Sequence, residues 1–150
     1  MSPKAGPSIR RIWIGASFRG RSRRCRELNA EEIAFLAAQA AEEKKAIDVL
    51  ILDLREQTIL ADYFVIASAE TVPHVRAIAE AIEERVAAAG KAPLRQEGRH
   101  EARWILMDYG SVVVHVMDEE SRDYYDLEHF WRDAPRIELS EMAELARVAR

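Results

Sequence analysis

Apolar positions recur along this chain with two alternating periods, and the switches between them mark its elements. Asn29 followed by Glu32 is a capping-box arrangement, and Ile33, Leu36, Ala37 and Ala40 then fall on one helical face, which predicts a first helix over about 30–44. Residues 48–53 and 63–68 are short apolar runs rich in Val, Ile and aromatics, bounded by polar residues, and read as buried strands. Thr71 can cap a second helix that tolerates Pro73 in its first turn and carries Val75, Ile78, Ile82, Val86 and Ala89 at helical spacing until Gly90 stops it. With Leu94-Arg95-Gln96 as a third strand, a right-handed crossover should set strands two and three parallel, with the intervening helix on one face of the sheet.

Residues 104–117 read as two apolar arms around a Tyr-Gly turn. A two-residue turn would hold Tyr109 at positive φ, so a type I turn ending in a left-handed Gly110 with a bulge is expected. That register groups Trp104 and Leu106 with Val112, Val114 and Val116, and leaves Ile105, Met107, Val113, His115 and Met117 opposite; a slip of one residue exchanges the sets. Both faces are apolar either way. A short chain has few helices with which to cover two faces, so one face is a candidate protein-docking surface. Glu119, Glu120 and Ser121 begin a further helix, predicted to run to Trp131 with Tyr124, Leu127 and Trp131 on an inward stripe and Tyr125, Asp123 and Glu128 outside it or at its sides. Ser140 is expected to cap a terminal helix bearing Met142, Leu145 and Val148. The fold class is one α/β domain, a mixed β-sheet with flanking helices.

Charge changes the picture. Residues 1–26 hold eight bases and no acid, whereas the remaining 14 bases face all 26 acids, leaving residues 27–150 at −12. Proteins grip nucleic acid by neutralising phosphates, so the acidic body is expected to make little direct RNA contact and to suit a basic protein partner. The Pro-, Gly-, Ser- and Arg-containing segment 1–28 is expected to be a disordered extension, or the product of a wrongly assigned start codon; RNA contact ranks second and organelle targeting third. The lone Cys25 has no intramolecular partner, as in a reducing compartment, which favours the cytoplasm. No apolar run approaches the roughly 20 residues of a membrane-spanning helix.

Lys44-Lys45-Ala46-Ile47-Asp48-Val49-Leu50-Ile51-Leu52-Asp53, Ala61-Asp62-Tyr63-Phe64-Val65-Ile66-Ala67-Ser68, the 104–117 hairpin and Glu120-Ser121-Arg122-Asp123-Tyr124-Tyr125-Asp126-Leu127-Glu128-His129-Phe130-Trp131 together resemble the ribosomal silencing factor, or Iojap-related, family in order and spacing. The likeness spans roughly residues 30–135, so the family domain is set at 29–135, with 136–150 as a C-terminal helical tail. The resemblance implies binding to the large ribosomal subunit through its fourteenth protein, on the face where the subunits meet, and a steric block to joining. A transient large-subunit assembly factor is the second reading, and a homodimer is left open. Composition and resemblance together select Trp104, His115, Met117, Arg122, Asp123, Tyr124, Tyr125, Glu128 and Trp131 as candidate interaction residues.

The family fold is similar to that of nucleotidyltransferases, which raises an enzymatic alternative. Such an enzyme needs paired carboxylates for two metals and a Gly-Ser near a helix N-terminus for phosphate. Asp48 and Asp53 are an odd number apart and point to opposite faces of an uninterrupted strand, while Gly110-Ser111 belongs to a turn. Asp62 and Asp108 read as capping or pairing groups. His74, His100, His115 and His129 lack metal-ligand spacing, and His115, among valines, reads as a core imidazole bonded to the neighbouring strand or to Trp104. A regulator without catalytic residues, cofactor or metal is the expectation.

Overall fold

The computed structural model describes residues 27–148. The basic N-terminal segment, Cys25 and the expectation of disorder placed on them lie outside the described residues. The elements are α1 (Ala30–Glu43), β1 (Ile47–Asp53), β2 (Tyr63–Ala69), α2 (Val72–Ala88), β3 (Arg95–Glu97), β4 (Trp104–Asp108), β5 (Val112–Asp118), α3 (Glu119–Tyr125), α4 (Leu127–Phe130), β6 (Arg136–Ile137) and α5 (Leu139–Val148). Both long helices begin as their sequences dictate. Asn29 and Glu32 exchange side-chain-to-backbone hydrogen bonds at 2.8 and 3.0 Å, and the Thr71 hydroxyl accepts from the His74 N–H.

The strands form one mixed sheet in the order β3-β4-β5-β2-β1-β6, in which β2 and β5 are parallel neighbours and the other adjacent pairs are antiparallel. Strands β2 and β3 share a direction but are not neighbours, because β5 and β4 stand between them. The reason lies in composition. A position covered on both faces requires the Val-Val-Val run of β5, whereas Arg-Gln-Glu of β3 belongs at a solvated edge.

The hairpin register differs from the expected one. Tyr109 N–H donates to the Val112 carbonyl at 2.8 Å, so Gly110-Ser111 is a two-residue loop and the positive φ of 90° falls on glycine. Trp104 therefore opposes Met117 and Leu106 opposes His115, which places Trp104 with Val113, His115 and Met117, and Ile105, Met107 and Tyr109 with Val112, Val114 and Val116.

That second group faces α1 and α2 in the main core, with Tyr63, Val65 and Ala67 of β2 and Ile33, Ala37, Val75, Ile78 and Ile82 of the helices. α5 joins the same core through the fully buried Met142. Its first turn starts one residue before Ser140: Met142 N–H donates to the Glu138 carbonyl at 2.9 Å, so Ser140 lies inside the helix and does not cap it. Residues 136–148 complete the sheet edge, Ile137 pairing with Ile51, and add the helix beside α1.

A smaller cluster holds the opposite face: Leu52, Leu54, Ile66, Met117 and Ala134, flanked by Leu50, Phe64, Trp104, Leu127 and Trp131. The helix predicted over 119–131 is broken there. Asp126 adopts a left-handed conformation (φ 49°) between α3 and α4, so the inward stripe of Tyr124, Leu127 and Trp131 does not form.

A candidate docking face

β5 runs directly into α3. Asp118 ends the strand and caps the helix, its Oδ1 accepting the Ser121 N–H at 2.8 Å while Oδ2 accepts from Arg103 Nε at 2.9 Å. Burial pushes the Asp118 carboxyl up, but the bonds from Ser121 and Arg103 outweigh it and hold the group below its ordinary range. Arg122, one turn on, is buried and reaches under α3: Nη1 donates to the Ile47 carbonyl at 3.1 Å and Ser68 Oγ at 3.0 Å, and Nε to Glu128 at 2.9 Å. One side chain thus ties α3 to β1, β2 and α4.

Its Ile47 contact sits beside an irregularity in β1. Pairing with β2 shifts between Ile47 and Leu50, and Asp48 has φ 48°, so the strand is not uninterrupted and the parity argument for Asp48 and Asp53 does not apply. The two carboxylates are nevertheless kept apart by the length of β1. Asp53 at the far end is held below its ordinary range by hydrogen bonds from the Arg55 guanidinium, at 2.7 and 2.9 Å. Asp108 accepts from Gly110 N–H at 2.8 Å and pairs with Arg95. Among the described residues no three His, Cys, Asp or Glu side chains are placed to hold a metal ion.

The face opposite α1 and α2 carries an unbroken run of rings. Tyr124 meets Tyr125 edge-on at 5.0 Å between centroids, Tyr125 meets Trp104 at 4.6 Å, and Trp104 meets His115 at 5.8 Å. His115 then meets Phe64 at 4.5 Å, Phe64 meets Trp131 at 5.9 Å, and Trp131 meets Phe130 at 5.0 Å. The ends lie open, Tyr124 being 79% and Phe130 72% exposed, and Trp104, Phe64, Leu106, Val113 and Trp131 between them are partly exposed. At the centre Trp104 Nε1–H donates to His115 Nδ1 at 3.1 Å.

Around the Tyr124 end, Glu101, Arg103, Trp104, Glu120, Tyr124 and Tyr125 line an open cleft of about 420 Å³. Arg103 is already committed to Asp118 and Glu120. The exposed carboxylates of Glu119, Asp123 and Asp126 extend the negative charge along α3. Ring faces beside carboxylates can receive Lys or Arg side chains through cation–π contact and charge-assisted hydrogen bonds.

The candidate residues divide by position. Trp104, Tyr124, Tyr125, Asp123 and Trp131 reach the surface; His115 and Met117 are buried beneath it, Met117 completely; Arg122 and Glu128 pair with each other at 2.8 Å. Tyr125, expected on the outer side, is exposed and leans against Trp104 with the rings tilted by 49°; Tyr124, expected inward, is exposed too. Phe64, Phe130, Arg103 and Glu120 were not among the candidates. Phe64 had a signal, since strand alternation sets it opposite the buried Tyr63 and Val65; the pairing of Arg103 with Asp118 across the hairpin had none.

Residues 27–150 match the family described as ribosomal silencing factor during starvation. The chain is 41% identical over 112 residues to the ribosomal silencing factor of Bacillus subtilis, covering 75% of this chain and 95% of that protein. It is 33% identical over 91 residues to the mitochondrial Iojap-related protein of Arabidopsis thaliana, covering 58% of this chain and half of that one. A crystal structure of a Chromobacterium violaceum protein superposes with a TM-score of 0.67 at 36% identity, covering 69% of this chain and 86% of that one.

Proposed function

The chain belongs to the ribosomal silencing factor family, and from that premise we propose that it binds the large ribosomal subunit through a basic ribosomal protein, the fourteenth of that subunit, and sterically blocks joining of the small subunit. The observation that carries this reading is the run of rings from Tyr124 to Phe130, open at both ends and bordered by carboxylates, on the sheet face away from α1 and α2. Partly exposed aromatics anchor protein interfaces efficiently, because they desolvate much apolar area while few side-chain torsions are ordered. The acids around them complement a basic surface and steer its approach. We read the action as occupancy in the cytoplasm, with no catalytic step and little contact with RNA.

Cosedimentation with purified subunits tests it. The protein should pellet with large subunits and not with small ones, and its addition should reduce the light-scattering signal of subunit joining. Pelleting with neither subunit would remove the reading.

A further inference from the structure

We propose that His115 is a positioning residue of the docking face: its Nδ1 accepts the Trp104 indole N–H and so fixes the ring against which Tyr125 packs. The proposal rests on the docking reading for its consequence and on the geometry of the hairpin for its mechanism.

His115 and Leu106 are cross-strand partners, and Trp104 lies two residues before Leu106 on the same face, so the indole reaches His115 diagonally across β4 and β5. An Nδ1 that accepts puts the single proton of a neutral imidazole on Nε2. That Nε2 atom is buried and has no hydrogen-bond partner among the described residues. A buried N–H without an acceptor lowers stability; a Leu at the same place removes that N–H and turns the indole N–H of the partly exposed Trp104 to water instead. What the imidazole supplies and an apolar side chain cannot is the Nδ1 lone pair, and the group that uses it is Trp104. Trp104 in turn meets Tyr125 at 4.6 Å, and Tyr125 meets Tyr124, so one buried acceptor sets the orientation of the exposed end of the aromatic run. Phe64 packs on the imidazole at 4.5 Å and limits its rotation, which keeps the lone pair aimed at the indole.

The experiment uses the full chain with His115→Leu, which removes the acceptor, and His115→Asn, whose side-chain oxygen can stand where Nδ1 stands. Hydrogen exchange of the Trp104 indole N–H is followed by NMR, with its resonance assigned from the spectrum of Trp104→Phe, and affinity for large subunits is measured in parallel. His115→Leu should accelerate indole exchange about tenfold and weaken binding about tenfold while melting no lower than the parent; His115→Asn should melt lower yet stay within about threefold of the parent in both exchange and binding. Trp104→Phe removes the donor, so it should weaken binding as His115→Leu does, and the double variant should be no worse than either. Parent-like exchange and affinity in His115→Leu, or additive losses in the double variant, would overturn the assignment. If the parent itself does not bind large subunits, the docking reading falls and indole exchange alone decides whether His115 positions Trp104.

Discussion

Arg122 Nη1 and Ser68 Oγ lie 3.0 Å apart, joining the buried side of α3 to the middle of the sheet. The same guanidinium serves the Ile47 carbonyl and Glu128, so its removal leaves that carbonyl with the Ser68 hydroxyl as its remaining side-chain donor and takes the cation from the partly buried Glu128. Arg122→Ala should lower unfolding free energy by about 2–3 kcal/mol, as expected when a buried cation that makes several hydrogen bonds is lost. Arg147→Ala, which loses a surface pair with Glu144, should change it by no more than about 0.5 kcal/mol. Denaturant titration of both variants measures the contrast; equal effects would show that Arg122 does not hold α3.

Tyr124 and Trp104 separate binding from stability. Tyr124 is mostly exposed, so Tyr124→Ala should leave the melting temperature within about 2 °C while weakening large-subunit binding by about tenfold. Trp104 packs in the second cluster, and its replacement by Ala should lower both melting temperature and binding. A Tyr124→Ala protein with parental affinity would shift the contact to the Phe64 and Trp131 end of the face.

Acid should destabilise the fold through His115 before it reaches the carboxylates. Burial lowers the His115 pKa to about 4, against 6.5 for an unburied imidazole. The unfolded chain therefore takes up that proton first: the contribution is complete above about pH 6.5 and is lost as pH falls to about 4, a change on the order of 3 kcal/mol. Asp53 and Asp118 are held below their ordinary range, so their contributions disappear only at pH values lower still. His115→Leu should flatten the pH 4–6.5 limb of the stability profile and spare the part below it. An unchanged limb would assign the loss to other groups.

Two tyrosines buried in one core should respond oppositely to loss of the hydroxyl. Tyr63 donates to Glu31 at 2.9 Å, whereas the Tyr109 hydroxyl is buried with no hydrogen-bond partner among the described residues. Tyr63→Phe should cost about 1 kcal/mol and Tyr109→Phe should gain about as much, read from denaturant midpoints at constant slope.

Elements fixed by local chemistry were legible in the sequence: the Asn29 and Thr71 caps, the apolar runs of β1 and β2, and the hairpin arms. The register was not, because one residue decided it. Reading Tyr109 as a turn residue assigned the positive φ to Gly110 in the wrong turn type, and every side chain of β4 then changed face relative to β5. The order of strands was hidden for a related reason: a crossover fixes direction, while the neighbour of β2 is chosen by which strand can be buried on both sides. The candidate site was legible as composition and not as geometry. Tyr125 is exposed as expected, but Tyr124 is exposed as well, and Leu127 and Trp131 are cut off from its helix because Asp126 leaves the helical region; an aspartate before Leu-Glu-His-Phe gives no firm notice of that.

The sheet ends in its two shortest strands. Arg95–Glu97 carries charge and pairs Arg95 with Glu97 and Asp108; Arg136–Ile137 is two residues long. Neither rim offers the long, flat ladder of free amides and carbonyls onto which another chain could be laid as an extra strand. Growth by sheet extension is thereby discouraged, both in self-association and in partner capture. A partner gripped across the pleats must be recognised by its side chains, which ties selectivity to sequence and leaves little room for promiscuous backbone pairing.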